Sequence, residues 1–301
     1  MKLFIKDFLF SFAIICLLLL GAEILVDYYP NEFTIKYDRW YENRNDITTL
    51  LIGNSHIQTN VDATILGPNS YNMAIAASGA SFPIEMGQSY IPQMTKLENV
   101  IINFDYVNVY GDSHISSKNV NEILRQNQVN VSHRKQLLYI YSRYLHVGKQ
   151  CSRFNYAILC GQLNYKTLKR KYYTDLNNNE IEEEDGPFLD PSPRIKKITL
   201  EEYYSRINSI VSLAKMLSNK NARLVVVTTP TYGKYYEQLN IKNIELMNNT
   251  MDSLSQLYSI EYKNYLFDTC FLHEYLFVDN NHLNRRGTRL FTQRIIEDFE
   301  L

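Results

Sequence analysis

A three-layer α/β/α sandwich on a mostly parallel sheet is the fold this sequence predicts, and three observations predict it. Short apolar runs rich in β-branched residues recur at 48–52, 71–75, 100–104, 224–228 and 265–267. They do not alternate apolar with polar, so they read as strands buried on both faces, as parallel strands are. Between them, 85–97, 200–217, 241–257 and 288–299 carry apolar residues at helical spacing, the second opening on a capping box from Thr199 to Glu202. Strands and helices thus alternate along the chain, the pattern of helices covering both faces of a sheet.

The chain has 301 residues, 45% of them hydrophobic, enough to bury the core of one large domain. A formal charge of −1 offers no electrostatic footprint for nucleic acid. The 24 tyrosines suit either aromatic-lined sugar sites or ordinary packing.

The N-terminus predicts an address. No charged residue occurs from Phe8 to Ala22, and Ile24, Leu25 and Val26 extend the apolar character past Glu23. Residues 1–26 therefore read as a transmembrane signal anchor. Lys2 and Lys6 precede the run and Glu23, Asp27 and Glu32 follow it, which leaves the body of the protein outside the cytoplasm, periplasmic or extracellular. No clean small-x-small site follows Leu20, so the segment is expected to stay uncleaved. Residues 27–46, polar and aromatic with Pro30 and Asn31, read as a stalk, and the fold proper as 47–301.

Within it, about 109–198 breaks the strand and helix rhythm and reads as an insertion, with a helical pattern at 133–146 and an acidic stretch at 180–185. Such insertions form lids or specificity walls. Asp175, Asn177 and Asn179 have the spacing that opens a calcium loop, but Glu180 replaces the required glycine and Gly186 the closing glutamate. Cys151 and Cys160 can pair if the compartment is oxidising, whereas Cys16 lies in the apolar run and Cys270 beside an expected strand. No HExxH or CxxC occurs, so no metal and no cofactor is expected.

Two short motifs carry the chemistry: Gly53-Asn54-Ser55-His56 after the first expected strand and Asp279-Asn280-Asn281-His282 before the last expected helix. A serine hydroxyl needs a base to become nucleophilic, and His282 is the candidate. Asp279 can hold its imidazole in the required tautomer, or cap the helix that follows, and the two roles are compatible. A strand breaking into a turn at Gly53 puts Ser55 where open α/β sheets place ligands.

On these residues the sequence resembles the SGNH hydrolase superfamily, the GDSL-type esterases and acetyltransferases. That family carries a Gly-Asp-Ser block after its first strand, matched by Gly53-Asn54-Ser55, and a DxxH block, matched by Asp279 to His282 and continued by Leu283, Asn284 and Gly287. Asn54 stands where the family has aspartate. The resemblance implies Ser55 as nucleophile, His282 as general base and Asp279 as its partner, with an oxyanion hole from the amides of Ser55 and Gly79. The family's third donor, an asparagine after the third strand, is matched only by Asn108, one position out of register. Asn54 and His56 are candidate substrate contacts, His56 alternatively making a structural hydrogen bond.

The implied function is a membrane-anchored serine esterase or O-acyltransferase acting on acyl, above all acetyl, esters of an exported or cell-envelope polysaccharide. A membrane-bound O-acyltransferase is the implied partner. The alternative is a catalytically inactive module of the same fold that binds a glycan or such a partner.

Overall fold

The structure is a computed structural model that describes residues 2–28, 32–75, 81–110 and 198–301. Five strands form one sheet: β1 (Thr49–Ile52), β2 (Ser70–Asn72), β3 (Asn99–Asn103), β4 (Arg223–Thr228) and β5 (Ile260–Asn264). Their order is β2-β1-β3-β4-β5 and every pairing is parallel.

The central strands are buried on both faces, as their unbroken apolar character requires. Leu51, Ile101 and Val225 stand side by side across the sheet. With Val227 they pack against Ile57, Val61, Phe291 and Ile295 on or beside α3 (Ser55–Asn60) and α10 (Arg285–Phe299). Alternate residues face the other layer, where Ile52 sits so close to Gly87 of α5 (Ser81–Tyr90) that any side chain there would strike it. In that layer α5 meets α7 (Leu200–Ser218), and α7 meets α9 (Ile241–Tyr258). Each fully buried Leu or Ile in these rows contributes about 2 kcal/mol relative to exposure. The three-layer α/β/α expectation holds, with a wholly parallel sheet.

Three elements differ from the sequence reading, each for a physical reason. The last strand is Ile260–Asn264, not 265–267, because β5 is an edge strand whose polar residues meet solvent and ion pairs. Glu261 binds Arg223 at 2.7 Å and Lys263 binds Asp298 at 2.7 Å, while the apolar Tyr265 and Leu266 are buried beyond the strand's end. β2 stops at Asn72, whose side chain accepts the Ala74 amide at 3.0 Å and turns the chain; Met73 and Ile75 stay buried all the same. The helix expected at 85–97 runs instead over Ser81–Tyr90 with a tighter turn at Ile91–Gln93, since Pro92 cannot continue an α-helix. The capping box forms as read, Thr199 and Glu202 bonding reciprocally.

Residues 27–46, expected as a stalk, include α2 (Glu32–Asn43). On it Trp40 is fully buried 4.5 Å from the Tyr90 ring, and the buried Lys36 ammonium donates to the Ala74 carbonyl. From Lys36 onward the described chain, to Tyr110 and again from Ile198, belongs to one compact unit; residues to Ile35 belong to another and are described by themselves. There, α1 (Lys2–Tyr28) exposes Phe8, Phe10, Phe12, Leu17 and Leu18. Among the described residues no helix is long and apolar enough to cross a membrane; on α1 the described side chains run from Ile5 to Leu18, with Gly21 beyond them.

Of the insertion's features, the helical pattern at 133–146, the acidic stretch, the calcium-like loop, Cys151 and Cys160 lie outside the described residues. Cys16 and Cys270 are exposed free thiols. Among the described tyrosines, Tyr106, Tyr110 and Tyr203 pack ring against ring in series between helices.

Candidate active site

Ser55 opens α3 directly beyond the carboxyl end of β1 and is half-buried. The turn that delivers it depends on Gly53. A Cβ at that position would collide with the Asn103 side-chain oxygen and with Ile57, so only glycine lets the ends of β1 and β3 approach this closely. Asn54 then caps α3, its side-chain oxygen accepting the His56 amide at 2.9 Å. The Ser55 amide, between the two bonded amides of Asn54 and His56, makes no hydrogen bond among the described residues.

Asp279 and His282 sit on a loop closed by the Phe277 and Leu283 bridge and by the Val278 amide donating to the His282 carbonyl at 2.9 Å. One Asp279 oxygen accepts the amides of Asn281 and His282 at 3.0 and 2.8 Å; the other lies 2.7 Å from His282 Nδ1. Partial burial pushes the Asp279 carboxyl up, but His282 and the two amides outweigh it and the net shift is downward. An ionised carboxylate only accepts, so His282 Nδ1 carries a proton, and in the neutral imidazole Nε2 presents a lone pair. That Nε2 is buried and has no hydrogen-bond partner among the described residues.

Four hydrogen bonds tie this loop and the helix that follows it to α3 and the residues just beyond it. Fully buried Asn60, at the end of α3, donates to the Asn281 carbonyl at 3.1 Å and accepts the Leu283 amide at 2.9 Å. Thr288 on α10 donates to the Thr59 carbonyl at 2.9 Å, and the Thr292 hydroxyl accepts the Asp62 amide at 2.9 Å. Gly287 lets α10 start hard against the Leu276 carbonyl, where a Cβ would clash. The rings of His56 and His282 meet edge to face, their centroids 5.2 Å apart. Ser55 and His282 therefore belong to one corner of the molecule, although the Ser55 hydroxyl is not hydrogen-bonded to His282 Nε2.

A second aspartate and histidine lie underneath. His56 Nδ1 is 2.7 Å from Asp105 Oδ2, and both side chains are almost wholly buried. Asp105 also accepts the Thr229 amide at 2.6 Å, the Thr229 hydroxyl at 2.9 Å and a short hydrogen bond from Asn103. Burial works to raise the Asp105 pKa, but His56 and these donors together hold it below the usual carboxylate value.

Of the residues singled out in the sequence, Asn54, Ser55, His56, Asp279 and His282 gather at this corner. Gly79 lies outside the described residues, and Asn108 falls on α6 (Tyr106–Tyr110) with its side chain outside them. Asn54 is buried and spends its side-chain oxygen on the cap and on Asn103. Asn103, which ends β3, commits both amide hydrogens to Asn54 and Asp105 and has none left for an oxyanion. Sequence reading missed Asn60, Asn103, Asp105 and Thr229. A signal existed for three of them, since polar residues close the apolar runs of β3 and β4.

No family profile matches the sequence, and no curated protein matches it. Similar solved structures include proteins described as acylhydrolases and carbohydrate acetylesterases. A GDSL-like lipase from Bacteroides thetaiotaomicron VPI-5482 is 10% identical with a TM-score of 0.44, the match covering 88% of this chain and 98% of that one. A carbohydrate acetylesterase from Sinorhizobium meliloti is 9% identical with a TM-score of 0.36, covering 84% and 98%.

Proposed function

We propose that the protein is a serine esterase or O-acyltransferase with Ser55 as nucleophile. The observation that carries the reading is the buried, unpartnered Nε2 of His282, its tautomer set by Asp279, on a loop that Asn60 bonds to the helix of Ser55. Ser55 Oγ attacks an ester carbonyl as His282 Nε2 takes its proton, and the Asp279 carboxylate stabilises the imidazolium. The free Ser55 amide donates to the oxyanion, with Gly79 and Asn108 as the further proposed donors. His282 returns the proton to the leaving alcohol. Water then completes hydrolysis, or a sugar hydroxyl takes the acyl group.

The substrate belongs to the same proposal: acetyl esters of an exported or cell-envelope polysaccharide, handled by a domain anchored outside the cytoplasm. The exposed phenylalanines and leucines around α1 support an anchor, since a helix apolar on all sides needs an apolar surrounding. A membrane-bound O-acyltransferase is the proposed partner. Acetate release from an aryl acetate and from an acetylated glycan, with wild type and Ser55→Ala, tests the reading. Equal activity of the two would remove Ser55 from the mechanism.

A second reading, an inactive glycan-binding module, draws on the missing hydrogen bond between Ser55 and His282. Such bonds are often long without substrate and tighten in the reacting complex. Labelling of wild type, but not of Ser55→Ala, by a fluorophosphonate separates the two readings in favour of the enzyme.

A further inference from the structure

We infer that His56 is a positioning residue for His282, and that Asp105 fixes it in that task. The Asp279 and His282 pair is local, three residues apart on one loop, so its hydrogen bond does not place the imidazole relative to Ser55. The link must come from elsewhere, and two contacts reach this loop directly from the helix of Ser55. Asn60 holds the loop's backbone, and the His56 ring meets the His282 ring at 5.2 Å with 78° between their planes. His56 is the next residue after Ser55, so one rigid unit carries the serine and the wall against which the second imidazole rests.

What makes His56 rigid is the floor beneath it. Asp105 follows β3, Thr229 follows β4 and His56 follows β1, and these three strands are neighbours in the sheet. The Asp105 carboxylate takes hydrogen bonds from His56 Nδ1, the Thr229 amide and hydroxyl, and Asn103. Its accepting sites are filled, so it cannot turn without leaving a buried donor unpaired. Being ionised it only accepts, which puts the His56 proton on Nδ1 and locks the ring plane. The Thr229 hydroxyl oxygen, 3.3 Å from the same nitrogen, reinforces that tautomer. No substrate or proton need touch His56 for this role.

This inference deepens the esterase reading and rests on it for its kinetic part only. His56→Asn keeps an N–H near the position of Nδ1 for Asp105 while deleting the ring that meets His282. In the full-length protein, this variant is expected to keep its thermal midpoint and its KM for an aryl acetate within about twofold. Its kcat and its rate of fluorophosphonate labelling should fall together by about tenfold to a hundredfold, the scale for misplaced catalytic groups. A second measurement needs no activity. In protein with 15N-labelled imidazoles, the His56 ring should show its proton on Nδ1, and the His282 ring signals should shift in His56→Asn. Unchanged kcat with unmoved His282 signals, or a His56 ring protonated on Nε2 alone, would overturn the inference. Ser55→Ala as active as wild type would instead sink the esterase reading, and the imidazole spectra would still decide whether His56 positions His282.

Discussion

The molecule contains two aspartate and histidine pairs, and they are built in opposite ways. Asp279 and His282 are three residues apart on one loop, with side chains 41% and 24% exposed. His56 and Asp105 are 49 residues apart, join the ends of β1 and β3, and are 3% and 5% exposed. The hydrogen bonds are equally short, 2.7 Å in each. What differs is what each bond secures. The loop pair sets a tautomer and leaves Nε2 open for chemistry, whereas the buried pair pins three strand ends and leaves the carboxylate no accepting site to spare. A short bond on a half-exposed loop serves reactivity; the same bond in a filled interior serves geometry.

Disabling each pair in turn should separate activity from stability. Asp279→Asn should lower kcat by about 10³-fold or more, because the amide no longer favours the required tautomer. Its thermal midpoint should barely move at this half-exposed position. His56→Phe should do the reverse in emphasis: it leaves a buried carboxylate without the N–H of its imidazole partner and should cost about 3 kcal/mol in urea unfolding. If Asp279→Asn proves the more destabilising of the two, the division of labour drawn here is wrong.

Asn60→Ala tests the connection between the two regions. It strips partners from the Asn281 carbonyl and the Leu283 amide, with an expected loss of about 1–3 kcal/mol together with a fall in kcat. Stability without loss of activity would show that the loop is held some other way.

Acid should act more gently and on both pairs at once. Asp105 and Asp279 have depressed values in the folded state. Each therefore adds stability that is fully present above the unfolded carboxylate value of about 4 and is lost as pH falls through the lower folded value. Urea midpoints should stay level from pH 7 to about 5 and decline below about 4, with a shallower decline in Asp105→Asn. The smallest effect belongs to the sheet edge. Glu261→Gln removes a partly exposed ion pair with Arg223 and should shift stability by less than about 1 kcal/mol, still less in high salt.

Much of this was legible along the chain. Leu50, Leu51 and Ile52 announce a central strand because a strand covered on both faces has no reason to alternate. The Thr199 and Glu202 box is a local event three residues long, and sequence spacing expresses it directly, whereas the last helix starts at Arg285 behind an Asn284 cap rather than at 288. The Asp279 and His282 pair is equally local. β5 was not legible in the same way, because an edge strand such as Ile260–Asn264 satisfies its backbone on one side and meets water with its polar side chains. The apolar run beside it, Tyr265 and Leu266, marks burial rather than pairing.

The α/β alternation, the strand that leads into Ser55 and the loop that orients His282 follow from sequence, since each depends on neighbours within a few residues. Three-dimensional packing sets the rest: Asp105 reaches His56, Asn103 spends its hydrogens inside the protein, and Asn60 grips a loop more than two hundred residues away. Those choices depend on which strand ends lie side by side. Strand order is set by packing the whole sheet between two helix layers, and no short stretch of sequence contains it.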